Sequence, residues 1–130
     1  MIEKRLIKND KLDEQYVEAT HSSGLRIYIL SKPLYSSAYA VFGTRYGSID
    51  TKFRLDGESE FHTIPEGTAH FLEHKLFESE EGSAFERYAA TGAYANAYTS
   101  FDRTCYLFSC TSGFSENLDI LLDFVRHPYF

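Results

Sequence analysis

A chain of 130 residues is long enough for one ordinary domain, and contents of 43% hydrophobic and 16% aromatic residues exclude an intrinsically disordered protein. The formal net charge of −6 provides no basic surface, so neither nucleic acid nor an anionic membrane is an expected partner. The sequence also lacks an apolar run of membrane-spanning length and a signal-peptide pattern at its start.

The first half of the chain is predicted to be mainly β-structure. Its first fifteen residues are charged, and we expect them to form an edge strand or a tail. β-Branched and aromatic residues then indicate strands over residues 16–20, 25–30 and 38–46, the first two joined as a hairpin by the Ser-Ser-Gly turn at 22–24. A further short strand is expected over residues 49–55, where apolar and polar residues alternate.

The middle of the chain is predicted to be helical. A capping-box pattern at residues 63–66, with Pro65 in the first turn, predicts a helix that runs to about Phe77. A second capping box at residues 83–86 predicts a short helix that ends at Gly92, a residue type common at the C-terminal ends of helices.

Two strands and one helix are predicted for the last part of the chain. The strands cover residues 93–99 and 104–111. The helix that follows should be interrupted by Pro128. It presents one apolar stripe, which consists of Leu118, Leu121, Leu122 and Val125. The order of elements predicts an α+β fold, a mostly antiparallel sheet with helices packed on one face, in a single domain over residues 1–130.

The two cysteines, Cys105 and Cys110, lie on one predicted strand, an odd number of positions apart. Their side chains should therefore point to opposite faces of the sheet, and they should not form a disulfide with each other. Reduced thiols are typical of the cytoplasm, which is the predicted location.

The most informative segment is His-x-x-Glu-His at residues 70–74. On a helix, His70 and His74 lie one turn apart on the same face, so their imidazoles can bind one ion. Glu73 lies beside that face, where it can serve as a general base. Zinc suits this arrangement because it accepts neutral imidazole and lowers the pKa of a bound water to about 7.

The spacing of the motif does not by itself establish a metal site. A chain with five His residues and many Glu residues can show the pattern by chance. A pair of His residues on a helix can also belong to an ordinary core or surface. The predicted amphipathic helix around the motif favours the metal interpretation, because such a motif requires a helix.

The motif and two later segments resemble the insulysin, pitrilysin and mitochondrial-processing-peptidase family of inverted-motif zinc peptidases. Residues 67–77 resemble the zinc helix of that family, residues 92–100 its substrate-binding strand, and residues 104–108 the strand that follows. The order and spacing of these segments also agree. The Lys-Leu-Phe-Glu sequence at residues 75–78 looks most like a small bacterial branch of predicted peptidases.

The resemblance implies that His70 and His74 bind Zn²⁺ and that Glu73 is the general base. It also implies that Asn96 and Ala97 lie beside the scissile bond, on an edge strand that pairs with an extended peptide substrate. Without the resemblance, the ordinary structural roles are favoured: Asn96 could cap a turn, and Ala97 fits any packed strand.

The sequence departs from the family pattern in two respects. Family members take a third zinc ligand, a Glu, from a later helix, and a second related half or subunit helps to hold the peptide. Neither feature lies within residues 1–130, so we expect a truncated N-terminal part of a zinc endopeptidase that is inactive by itself. The alternatives are a catalytically inactive peptide-binding subunit of the same fold and a structural domain with an incidental His pair.

Overall fold

The computed structural model describes residues 2–130 of the chain. The chain divides into two compact units, Met1–Ser36 and Ser37–Phe130. The α+β class predicted from the sequence is confirmed, because antiparallel sheets and helices occur together. Within residues 2–130, none of the helices is long and apolar enough to cross a membrane.

The first unit contains a three-stranded antiparallel sheet in the order β1-β2-β3. The strands are β1 (Ile2–Asn9), β2 (Glu14–His21) and β3 (Arg26–Ile29). The edge strand expected near the start of the chain is confirmed, and so is the hairpin between β2 and β3. Gly24 permits its tight turn, because a φ of +87° is a conformation that glycine adopts without steric cost.

The second unit begins with β4 (Ala38–Thr44) and a ribbon of two very short strands, β5 (Lys52–Phe53) and β6 (His62–Thr63). The strand predicted over residues 49–55 is therefore mostly wrong. The backbone there makes turn and loop hydrogen bonds instead of ladder bonds, including one from the Asp50 N–H to the carbonyl oxygen of Gly47 at 3.1 Å.

The helix of the metal motif, α1, spans Thr68–Leu76, so its predicted end is confirmed to within one residue. The capping box predicted at residues 63–66 is wrong. Thr63 belongs to β6, and the residue that caps the helix is Gly67, which adopts a left-handed conformation with a φ of +83°. This conformation turns the chain from the β6 segment into the helix.

The helix start predicted at Ser83 is confirmed, with Ser83 as the N-cap residue. A small hairpin of β7 (Glu78–Ser79) and β8 (Gly82–Ser83) leads into α2 (Ala84–Thr91). The Ser83 hydroxyl accepts a hydrogen bond from the backbone N–H of Phe85 at 3.3 Å. Gly92, in a left-handed conformation with a φ of +73°, ends the helix as predicted.

Two strands and a helix complete the unit: β9 (Tyr94–Thr99), β10 (Thr104–Cys110) and α3 (Phe114–Arg126). The sheet is antiparallel with the order β4-β10-β9, which leaves β9 at an edge. The last helix is confirmed, and it ends before Pro128.

All three helices of the second unit pack on one face of this sheet, as predicted for the fold. The core contains Phe77 after α1, Tyr88 of α2 and Phe124 of α3, and these contact the side of β10 that carries Phe108, which has no exposed surface. On the outer two strands and immediately before β9, small or apolar side chains complete that face: Ala38, Ala40, Phe42, Ala93, Ala95 and Ala97.

The two cysteines of β10 are both buried and free. Cys110 belongs to the core on the helix-packed face. Cys105, five positions earlier on the strand, points to the opposite face, where its Sγ lies close to Gly43 of β4. The predicted placement of the two side chains on opposite faces of the sheet is confirmed.

Candidate functional site

One turn of α1 brings the three motif residues together. Single ligand atoms of His70, Glu73 and His74 all lie within 4.8 Å of one another, and within residues 2–130 this is the one cluster of three or more His, Cys, Asp or Glu side chains with such geometry. The two imidazoles are exposed, whereas Glu73 is only 8% exposed. The site therefore opens to solvent on the imidazole side and is closed around the carboxylate.

The His pair fits zinc by geometry and by chemistry. The two Nε2 atoms lie 3.0 Å apart. Zinc–nitrogen bonds of about 2.0–2.1 Å at tetrahedral angles place two ligand nitrogens about 3.3 Å apart, so both rings can bind one ion after a small adjustment. Imidazole nitrogen is a preferred ligand of zinc.

Glu73 is fixed to the sheet by a residue that sequence reasoning missed. The Thr99 hydroxyl, at the end of β9, donates a hydrogen bond to Oε2 of Glu73 at 2.5 Å. Tyr106 of β10 lies nearby: burial raises its pKa to about 12, and the negative charge of Glu73 adds to the rise. The phenol therefore stays neutral at physiological pH beside the carboxylate.

A groove of about 390 Å³ lies between α1 and β9. Its walls combine aromatic side chains with the predicted site residues, and they consist of Phe71, Glu73, His74, Lys75, Phe77, Glu78, Phe85, Asn96 and Ala97. The groove thus brings the two residues predicted on β9 to the same surface as the base and one of the two His residues. Its volume lies in the range typical of ligand pockets.

The edge position predicted for β9 is confirmed, and the ladder shows which backbone groups face outward. The Ser100 N–H donates to the carbonyl oxygen of Arg103 at 2.8 Å, so Ser100 and Arg103 form a hydrogen-bonded pair. In an antiparallel ladder such pairs alternate with pairs that are not hydrogen-bonded, so every second residue of β9, counted back from Ser100, bonds to β10. Tyr98 and Asn96 accordingly bond to β10. Ala97, between them, directs its N–H and carbonyl toward the free edge.

The side chain of Asn96 occupies the outward N–H of Ala97. Its Oδ1 accepts that hydrogen bond at 2.9 Å, and its Nδ2 donates to the Tyr94 hydroxyl at 3.1 Å. A peptide that pairs with the edge would have to displace Oδ1 from this N–H. The structure therefore places Asn96 and Ala97 at the groove, while their roles in binding a substrate stay predictions.

Comparisons with known proteins identify the relatives of this chain. The family model described as insulinase (peptidase family M16) matches residues 62–130, more than half of the chain. The uncharacterised zinc protease YmfH of Bacillus subtilis is 49% identical over 124 residues, which are 95% of this chain and 29% of YmfH.

Two crystal structures also resemble the chain. One, described provisionally as an M16-like peptidase from Alicyclobacillus acidocaldarius, superposes with a TM-score of 0.80 and 40% identity over 99% of this chain and 27% of that protein. Pitrilysin superposes with a TM-score of 0.70 at 21% identity, over 96% of this chain and 13% of pitrilysin, a likeness that shows the fold alone.

The chain spans less than a third of the length of these relatives. The family predicted from the three sequence segments is confirmed, and zinc is the cofactor named for the relative YmfH. The matched residues 62–130 contain α1 and β9. Because this match covers more than half of the chain, the chain belongs to the insulinase family of peptidases, family M16.

Proposed function

We propose that this chain is the N-terminal part of a zinc-dependent endopeptidase, in which it supplies two metal ligands, the general base and an edge strand for the substrate. One observation carries the proposal. The His pair and Glu73 lie on one turn of α1, and Glu73 and His74 line the same groove as Asn96 and Ala97 of the sheet edge. Metal ligands, a base and a backbone docking edge are three of the parts that a zinc endopeptidase uses.

Each motif residue has one task in this proposal. His70 and His74 hold the zinc ion through their Nε2 atoms, which already face each other. When bound, zinc acts as a Lewis acid and lowers the pKa of a water to about 7. Glu73 accepts a proton from the attacking water and delivers it to the nitrogen of the leaving amine. Its low exposure keeps bulk water from competing for that proton.

The third zinc ligand is proposed to come from outside residues 1–130. Catalytic zinc sites normally use three protein ligands and leave one position open. The cluster on α1 offers two His residues besides the base. We therefore expect the 130-residue chain by itself to bind zinc weakly and to be inactive, while the longer protein, of the kind that YmfH exemplifies, is active.

The substrate is proposed to be an extended peptide that adds a strand to the sheet at β9. Pairing of this kind takes its affinity from main-chain hydrogen bonds and makes few demands on sequence. The outward N–H of Ala97 would bond to a peptide carbonyl in place of Oδ1 of Asn96. The Asn96 amide, once released, can bond to the peptide backbone beside the base.

A second related half of the same protein, or a separate subunit, is proposed to close over the peptide from the other side. The parent is proposed to act in the cytoplasm, where cysteines remain reduced. The free thiols of Cys105 and Cys110 support this location.

The test uses the full-length protein that contains this chain. Its zinc content and its cleavage of a long unstructured peptide are measured before and after removal of metal with a chelator, and again after zinc is restored. His74→Ala should lose zinc and activity together. His127→Ala is the matched control, because His127 is an exposed residue at the end of α3 that does not line the groove.

Three outcomes separate the candidate functions. Stoichiometric zinc with cleavage that His74→Ala abolishes and His127→Ala leaves intact supports the peptidase. Peptide binding with neither zinc nor cleavage would indicate an inactive peptide-binding subunit. A protein without zinc, cleavage or peptide binding would indicate that the His pair is incidental.

A further inference from the structure

The hydroxyl of Thr99 links the sheet to the predicted base. It donates a hydrogen bond to Oε2 of Glu73 at 2.5 Å. Within residues 2–130 this is the one hydrogen bond that the Glu73 carboxylate makes, so Oε1 stays free. Thr99 is the last residue of β9, and its side chain lies on the face of the sheet against which the helices pack.

We propose that Thr99 is a positioning residue for Glu73: its hydroxyl fixes Oε2 so that Oε1 stays directed to the reacting water beside the His pair. The proposal rests on the proposed role of Glu73 as general base. A glutamate side chain has several rotatable bonds, and a base works only when its oxygen lies within hydrogen-bond reach of the proton it accepts. A base of this kind is commonly oriented by a third group.

The end of β9 is well suited to hold the hydroxyl in place. Beyond Thr99, the Ser100 N–H donates to the carbonyl of Arg103 at 2.8 Å, and the Ser100 carbonyl accepts from Ser48 at 2.9 Å. Gly47 packs so closely here that an added Cβ would lie 2.4 Å from the carbonyl oxygen of Phe101. The turn is thus fixed from two sides.

The side chain of threonine adds to this rigidity. It is branched at Cβ and is restricted in χ1, so little freedom is lost when its hydroxyl is held in one direction. Sites supported by packed secondary structure keep the geometry of their functional groups more tightly than sites on loops.

The test compares Thr99→Val with Thr99→Ser in the full-length enzyme. Valine keeps the branched shape and removes the hydroxyl, whereas serine keeps the hydroxyl. We expect Thr99→Val to lower kcat by about 10- to 100-fold, the range found when groups that orient a metal site are removed. KM and zinc content should stay at the wild-type values, and Thr99→Ser should retain most of the activity.

Two further measurements distinguish positioning from a merely structural role. In crystals of Thr99→Val the Glu73 carboxylate should leave its wild-type position while β9 remains unchanged, and in Thr99→Ser it should stay. In a Glu73→Gln background, Thr99→Val should not lower the residual rate further, because the base on which Thr99 acts is absent.

A Thr99→Val enzyme with wild-type kcat, or one in which Glu73 keeps its position, would overturn the inference. So would a Thr99→Ser enzyme as impaired as Thr99→Val. If Thr99→Val fails to fold, the same measurements on Thr99→Ala decide. A wild-type enzyme that carries zinc but cleaves no peptide would instead refute the proposed function, and the position of Glu73 in the variant crystals would still decide the role of Thr99.

Discussion

Replacing Ala97 with proline should separate substrate binding from folding. Proline lacks a backbone N–H, and it is tolerated in sheets where that N–H would face away from the neighbouring strand. The N–H of Ala97 faces the free edge of β9 and bonds to the Asn96 side chain at 2.9 Å. Ala97→Pro should therefore leave the ladder to β10 intact while it removes the donor proposed for the substrate.

The size of the effect follows from the single hydrogen bond. Losing the bond between Ala97 and Asn96 should cost the folded state about 0.5–1.5 kcal/mol. A substrate carbonyl left without its donor in the groove costs about 1–3 kcal/mol. At about 1.4 kcal/mol for each factor of ten, kcat/KM should fall by about 5- to 150-fold.

The matched control is Tyr98→Pro, one residue further along the strand. Tyr98 pairs directly with Cys105 of β10, so proline there removes a ladder hydrogen bond and leaves its acceptor on β10 unpaired, at a cost of about 1–3 kcal/mol. Steric conflict of the ring with the neighbouring strand should add to this, so Tyr98→Pro should be clearly less stable than Ala97→Pro. Unfolding in denaturant and hydrolysis of an extended peptide are measured on both full-length variants, at equal zinc content.

Two results would refute the reasoning. An Ala97→Pro enzyme with wild-type kcat/KM would show that the substrate does not use this N–H. An Ala97→Pro protein destabilised as strongly as Tyr98→Pro would show that the Ala97 N–H belongs to the ladder and that the outward direction is wrong.

Two further predictions concern the fold that supports the groove. Asn117→Ala should lower the free energy of unfolding, measured by chemical denaturation, by about 1–3 kcal/mol. Asn117 is fully buried, and its Oδ1 accepts a 2.6 Å hydrogen bond from the Thr91 hydroxyl that the variant would lose. A decrease below about 0.3 kcal/mol would contradict this prediction. Gly47→Ala should lower the free energy of unfolding, measured by thermal unfolding, by about 1–3 kcal/mol, because the added Cβ would lie 2.4 Å from the Phe101 carbonyl oxygen. Gly43→Ala is the control: the nearest contact of its Cβ is at 3.5 Å, so its stability should hardly change. Equal stability of the two variants would count against the close packing at Gly47.

Much of the fold could be predicted from local sequence signals. The N-cap at Ser83 and the glycine at position 92 define α2, because both act within a few residues of the chain. The apolar stripe on α3 has the same local character. The errors arose where residues distant in sequence determine the local structure. The segment after Gly47 bonds to the turn that follows β9, so only Lys52 and Phe53 of the strand predicted over residues 49–55 form a strand.

The start of α1 shows a conflict between two local signals. The pattern at residues 63–66 has the form of a capping box, but Thr63 is taken up by pairing with Lys52 of β5. The left-handed conformation at Gly67 then provides the actual entry to the helix. Sequence alone could not decide between them, because the competing pairing depends on a residue in a different strand, earlier in the chain.

The residues of the candidate site could be predicted more fully than Thr99, the residue that holds Glu73 in place. His70 and His74 follow from helical spacing, whereas Asn96 and Ala97 were identified from family resemblance, and the groove brings His74 together with both residues of β9. Thr99 was missed because its bond to Glu73 depends on how α1 packs on the sheet. Its position in the alternation of β9, on the same face as Ala95 and Ala97, was the available signal.

The most direct test of the proposed peptidase is the zinc content and turnover of the full-length Glu73→Gln enzyme. The amide keeps the size of the side chain but cannot accept the proton, and the two His ligands are untouched. We predict wild-type zinc content and a fall in kcat of about 100- to 10,000-fold, the range of general-base catalysis. Near-wild-type turnover at full zinc content would contradict the assignment of Glu73 as the base.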